Sequence, residues 1–176
     1  MDEEEREILA HIGLAVLAAQ TVETLLRLCM TVVFQKNSPL TLEGLEQQER
    51  GERKRTIGYF INELRKRADL DDNLASMLEA FLEHRNTLVH SFNEIPGGNL
   101  DTPAGRRIVE EFLDNFSNEC DVMIKVFSGA VLAWQEQIGW TGTRRPDGQL
   151  FDEIEARYKP IVHHLFTKKG HAQKSV

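Results

Sequence analysis

The sequence predicts an all-α fold: an antiparallel up-and-down helical bundle with a long helix in its fifth segment and a further helix near the C-terminal end. Two observations support this. Apolar residues recur at helical spacing through most of the 176 residues, and turn-forming residues gather at a few points between long segments. The composition, 41% hydrophobic and 28% charged, is that of an ordinary globular protein, and the length suits one domain with its own core, residues 1–166. Residues 167–176 are polar and basic, and a disordered tail is expected there.

The first helix is expected from about Glu3 to Phe34. Acidic residues at its start suit the positive end of the helix dipole. Apolar residues at 8, 9, 12, 16, 19, 22, 26, 29 and 33 give it a packing face. Glu23 falls on that face between Ala19 and Leu26, with Gln20 three residues before it. Polar groups on a core face need partners. Asn37, Ser38 and Pro39 break the chain. A short helical turn over 41–48 follows, and Gly51 separates it from a helix whose core side is Ile57, Phe60, Ile61 and Leu64.

Arg50, Arg53, Lys54, Arg55, Arg65, Lys66 and Arg67 flank that third helix against only Glu52 and Glu63. This is a local excess of five positive charges in a chain of net charge −7. The overall charge argues against a protein that coats nucleic acid non-specifically. The local cluster could still grip a phosphate backbone, or it could be solvated surface balanced by nearby acids.

A fourth helix is expected over about 72–92, capped by Asp71 or Asp72. Its apolar residues fall at 74, 77, 78, 81, 82, 88, 89 and 92, and Arg85 lies on the same stripe. A guanidinium there needs a carboxylate partner or a polar cleft. Glu23 is the candidate counter-ion. Asn86 and His90, four apart, share one face, and the long Arg85 side chain can reach His90. Pro96, Gly97, Gly98 and Asn99 form a loop. Asp101, Thr102 and Pro103 read as a cap followed by proline at the first helical position. The fifth helix continues to about Ile138, with a bend expected near Gly129. After a loop at 140–148 that exposes Arg144 and Arg145, a last helix at 149–158 is interrupted by Pro160. Ile154, Tyr158, Ile161, Val162, Leu165 and Phe166 are available to dock on the bundle or on a second copy.

The run Arg85-Asn86-Thr87-Leu88-Val89-His90 resembles the motif of HEPN domains: arginine, a polar residue, a short spacer and histidine, late in a core helix. The small residues and the Gln20–Glu23 pair of the first helix are similar to a pattern in several HEPN-like bacterial proteins. The resemblance implies a small helical bundle acting as a metal-independent endoribonuclease, of the kind found in toxin and phage-defence effectors, in the bacterial cytoplasm. It implies Arg85, Asn86 and His90 as catalytic residues, with Gln20 and Glu23 supporting them; for an RNA substrate the charge cluster described above offers Arg53, Lys54, Arg55, Arg65, Lys66 and Arg67 as the RNA-binding residues. It also implies no metal or cofactor, a homodimer that brings two motifs to one cleft, and a cognate antitoxin or other partner protein. The residue types suit the chemistry. Histidine titrates near neutrality and can move the 2′-hydroxyl proton, while arginine can hold the scissile phosphate and its developing charge.

Two other readings stand beside it. One is a non-catalytic HEPN-like binding or dimerisation module. The other is a metal-dependent nucleotide pyrophosphohydrolase built on Glu43 and Glu46 with Glu111 and Asp114. Phosphate-cradling glycine loops, G-x-S-x-G elbows and C-x-x-C pairs are absent from the sequence. His163 and His164 are adjacent and are expected to point to different sides of a helix. Cys29 and Cys120 lie on apolar stripes and are expected as buried, reduced thiols. The acidic start is unlike the basic head of a signal peptide, and the longest apolar run, 12–19, is too short to span a bilayer, so no membrane partner is expected.

Overall fold

In the computed structural model the described residues are 2–35, 41–52, 55–140 and 148–169; of Leu42, Leu45, Gln48, Glu49 and Glu52 the backbone alone is described. Among the described residues the fold is all-α apart from two strands of three residues each. Its helices are α1 (Glu3–Val32), α2 (Leu42–Glu52), α3 (Ile57–Arg67), α4 (Asp72–His90), α5 (Pro103–Gln137), α6 (Gln149–Glu153) and α7 (Val162–Leu165). The strands are β1 (Ala68–Leu70) and β2 (Phe166–Lys168). The expected break at 37–39, Arg144 and Arg145, and residues 170–176 lie outside the described residues.

Most expected boundaries fall within two residues of those observed. The Asp71 carboxylate accepts from the Asn73 and Leu74 amides, which caps α4. The Thr102 hydroxyl accepts from the Gly105 amide and caps α5, with Pro103 opening the helix as expected. Gly51 does not end a helix. It lies inside the last turn of α2, where few backbone bonds depend on it.

The chain forms two compact units, one from residues up to Thr24 with Ser76–Ile124, the other from Leu25–Ala75 with Lys125 onward. The core of the first is Ile8, Ala15, Ala19 and Val22 of α1, Leu78, Phe81 and Leu88 of α4, and Val109, Leu113, Phe116, Cys120 and Met123 of α5. Phe81 stacks on Phe116 at 5.7 Å between ring centres. Arg106 of α5 holds Asp2, Glu4 and Glu5, and His11 meets Ser117, so α1 and α5 run parallel. The Glu5 amide, followed by Arg106, holds the Asp2 carboxyl below its ordinary range. His84 meets both Phe112 and Glu119, and the Ile95 turn after α4 packs near Val109, so α4 runs antiparallel to α5. Between them Gly97 adopts a φ of 76°, which glycine takes without strain. Asn99 accepts from the Asp101 and Thr102 amides and closes the loop tightly.

The second unit packs Leu26, Cys29, Met30 and Phe34 against Phe60, Ile61 and Leu64 of α3, Phe127 and Ala130 of α5, and Ile154, Val162 and Phe166. Phe166 meets Phe34 at 5.3 Å and Phe127 at 6.3 Å, so it docks within its own chain. β1 and β2 pair antiparallel, Ala68 with Lys168 and Leu70 with Phe166. Regular backbone pairing therefore continues past the boundary expected at residue 166. The expected helix at 149–158 is instead a series of short pieces. One turn of α6 passes into a π-turn at Ile154–Tyr158, then a 3₁₀ turn containing Pro160, then α7.

Gly129 does not interrupt α5. It is the point where this C-terminal segment comes closest: a Cβ there would lie 3.1 Å from the backbone of both Tyr158 and Lys159. Both cysteines are free and buried, as expected. Burial pushes both thiols up, and the charge of Glu119 adds to the effect at Cys120, which is raised to about 12.

Gly129→Ala is expected to lower stability by about 1–3 kcal/mol in urea unfolding, because the added methyl meets backbone rather than a movable side chain. Gly51→Ala, where a Cβ meets nothing within 4 Å, is expected to be neutral or to raise stability by up to about 1 kcal/mol.

Candidate functional site

The last turns of α4 carry the site. Phe81 and Leu88 fix the helix phase by burying in the core, which leaves Arg85 at the core's edge. Its side chain is 21% exposed and that of Glu23 is 17% exposed. Arg85 Nε donates to Glu23 Oε1 at 3.0 Å. Arg85 Nη1 donates to Asn86 Oδ1 at 3.2 Å and lies 3.2 Å from His90 Nε2. One guanidinium thus joins the carboxylate of α1 to the amide and imidazole of α4. Asn86 and His90 are exposed.

A guanidinium only donates, so the contact is a hydrogen bond when Nε2 offers its lone pair, and a proton on Nε2 would set two donors against each other. Glu23 neutralises the inner side of Arg85, which makes the buried part of the cation tolerable.

Gln20 stays outside this cluster. It is exposed one turn before Glu23, and its backbone carbonyl accepts the Thr24 hydroxyl. The cationic residues expected to bind RNA have several different settings. Arg53 and Lys54 lie outside the described residues. Arg55 is exposed, with its guanidinium 4.8 Å from the Tyr59 ring centre. Lys66 is exposed and pairs with Glu63 at 2.8 Å. The Arg65 carbonyl accepts from Lys169 Nζ.

Arg67 departs most from the expectation of a surface cation. Its side chain is only 11% exposed, it pairs with Glu63, and Nη1 donates to the Met30 and Phe34 carbonyls. It closes the C-terminal end of α1, where the last carbonyls lack helical partners.

One pair escaped the sequence reading. His84 Nδ1 lies 2.9 Å from Glu119 Oε2 on α5, beside the edge of Phe112. No sequence spacing links residues 35 apart, and only the α4–α5 register brings them together. His11 Nε2 likewise meets Ser117 Oγ at 3.3 Å and approaches Asp114 at 3.9 Å. Both contacts use the same ring nitrogen, so this is not the relay of a nucleophilic triad, which needs both nitrogens. His163 and His164 are exposed with ring centres 3.9 Å apart, side by side rather than on opposite sides of a helix. Among the described residues no group of three or more histidine, cysteine, aspartate or glutamate side chains is placed to hold a metal ion.

Comparison with protein-family models, with curated proteins and with solved structures finds no match to this chain.

Glu23→Ala is expected to cost roughly 1–3 kcal/mol in urea unfolding, since it leaves the half-buried Arg85 without its carboxylate. In the double variant with Arg85→Met much of that loss should return. A double-mutant cycle with no coupling would show that the pair contributes nothing to stability.

Proposed function

We propose that this chain is a metal-independent endoribonuclease of HEPN type. The observation that carries the reading is the convergence of Asn86 and His90 on one nitrogen of Arg85, both within 3.2 Å, at the exposed end of a core helix. Arg85 has the geometry to hand its contact with His90 to a substrate phosphate. A phosphate oxygen is a better acceptor for a guanidinium than a neutral imidazole. As Nη1 turns to the phosphate, the Nε2 lone pair of His90 is released and can take the proton of the ribose 2′-hydroxyl. The 2′-oxygen then bonds to phosphorus, the bond from phosphorus to the 5′-oxygen breaks, and the leaving oxygen takes up a proton. The products are a 2′,3′-cyclic phosphate and a 5′-hydroxyl. Arg85 offsets the charge that builds on the phosphorane, and Glu23 keeps the arginine from swinging away.

One histidine per motif serves one of the two proton transfers. The proposal therefore includes a homodimer that supplies the second. The resemblance extends it to RNA as substrate and to a cytoplasmic toxin or phage-defence effector that works with a partner protein.

The Glu23–Arg85 pair also favours a second reading. A carboxylate and a guanidinium that are both mostly buried are what a binding or dimerisation module would keep after losing catalysis. The pyrophosphohydrolase reading has no comparable support among the described residues.

Incubation with structured RNA in EDTA separates the two supported readings. The wild type is expected to cut and to leave cyclic phosphate ends. Arg85→Ala and His90→Ala are each expected to lose at least about a hundredfold in rate. If neither the wild type nor the variants cut, the binding-module reading replaces the nuclease.

A further inference from the structure

The Arg85–His90 contact differs in kind from an ion pair. Arg85 Nη1 lies 3.2 Å from His90 Nε2 and donates to Asn86 Oδ1 at 3.2 Å, while Nε is held by Glu23 at 3.0 Å. A guanidinium keeps its charge at every ordinary pH, whereas an imidazole gains or loses a proton near neutrality. The sign of the contact therefore depends on one proton. With Nε2 unprotonated the two groups are donor and acceptor. With Nε2 protonated they are two cations at hydrogen-bond distance, and the imidazole must turn away or take an anion between them. Asn86 and His90 are exposed, so the ring can rotate without opening the core. Arg85 is held in place, because the mostly buried Glu23 engages Nε and leaves Nη1 facing the ring.

We propose that Arg85, Asn86 and His90 form a site for a free tetrahedral oxyanion, inorganic phosphate or sulfate, that binds together with one proton. Net charge decides when such an anion is attracted. Glu23 cancels Arg85, so with an unprotonated imidazole the cluster carries no net charge. A proton on His90 brings it to plus one. The other charged groups around α4 are placed apart from it. α5 turns Glu119 to His84, on the other flank of the helix. Glu83, two turns before His90, and Glu94, four residues after it, are carboxylates exposed to water, where their field is screened. In the bound state Arg85 Nη1 and the protonated Nε2 both donate to the anion. These are charge-assisted bonds, stronger than the guanidinium–imidazole contact they replace. Asn86, freed from accepting, can turn its amide nitrogen to a third oxygen. The inference adds a regulator to the site on which the nuclease reading rests, but the binding itself needs no cleavage. In a nuclease the filled state is the inhibited one: the anion takes the place of the scissile phosphate, and the proton occupies the base.

Calorimetric titration of the full chain with sulfate tests the site. Sulfate keeps two negative charges from about pH 8 to about pH 5.5, so any pH dependence over that range belongs to the protein. At constant ionic strength the affinity is expected to rise at least about tenfold as pH falls across it. Heats measured in two buffers of different ionisation enthalpy should show a proton taken up with the anion. His90→Gln keeps an acceptor for Arg85 but cannot take the proton. It should bind sulfate at least about tenfold more weakly at the acid end and lose the pH dependence, with helical circular dichroism unchanged because the position is exposed. His84→Gln should leave both the affinity and its pH dependence as they are. Sulfate binding that is absent, or equally strong at both ends of the range, overturns the proposal, as does a pH dependence that survives His90→Gln. A DNA oligonucleotide distinguishes the source of the anion, since it carries backbone phosphates and has no 2′-hydroxyl. If it shows proton-linked binding and sulfate does not, the site serves nucleic-acid backbone and the free-anion proposal falls. RNA cleavage is scored separately. Cleavage without proton-linked sulfate binding sinks this proposal and leaves the nuclease standing, and sulfate binding without cleavage does the reverse.

Discussion

Arg85 occupies a position where the packing pattern of α4 calls for an aliphatic residue, and the Glu23 carboxylate is what allows a cation to sit there. The pair joins α1 to α4 by charge at the edge of a core otherwise built from Phe81, Leu88, Ala19 and Val22. It also sets where Arg85 points. Its Nε is engaged by α1, so Nη1 is presented to Asn86 and His90. Without the carboxylate, the same arginine would extend toward water and the cluster on the last turns of α4 would lose its centre. Fold and candidate chemistry therefore meet in one ion pair.

The three largely buried arginines among the described residues that pair with carboxylates do so in three different ways. Arg106 collects Asp2, Glu4 and Glu5 and the Leu100 carbonyl, which pins the start of α1 to α5. Arg67 combines Glu63 with two carbonyls at the end of α1 and is the most internal in function. Of these three, Arg85 is the one that directs part of its guanidinium to exposed side chains, the amide of Asn86 and the imidazole of His90. That difference is the physical ground for treating Arg85 as more than a brace. A cation whose hydrogen bonds all go to carboxylates and carbonyls has little reason to release them, whereas an imidazole is easily displaced by a phosphate.

Much of the all-α fold could be read from the sequence because its helices announce themselves locally. Asp71, Thr102 and Pro103 mark starts, and the 3.6-residue spacing of Phe60, Ile61 and Leu64 or of Val109, Leu113 and Phe116 marks cores. The Arg85–Glu23 and Arg85–His90 contacts were legible for the same reason: a cation on an apolar stripe demands a partner, and few acids lie on apolar stripes. What could not be read depends on register between elements. His84 with Glu119 needs the α4–α5 alignment. Arg67 looked like one more surface cation because sequence cannot show that α1 ends beside it. Gly129 looked like a bend because a glycine inside a helix gives no sign of which backbone comes close to it. The π-turn at Ile154–Tyr158 has no local code that separates it from an ordinary helix.

The β1–β2 clip has a practical consequence for anyone who trims or tags this polypeptide. Helical patterning ends near Phe166, so a shortened version would naturally stop there. Such a cut would remove Thr167 and Lys168, the pairing partners of Asp69 and Ala68, together with Lys169, whose amide reaches the Arg67 carbonyl. The backbone groups of β1 that pair with β2 would then lose their partners. A bulky fusion therefore belongs beyond Lys169 rather than at the end of the last helix.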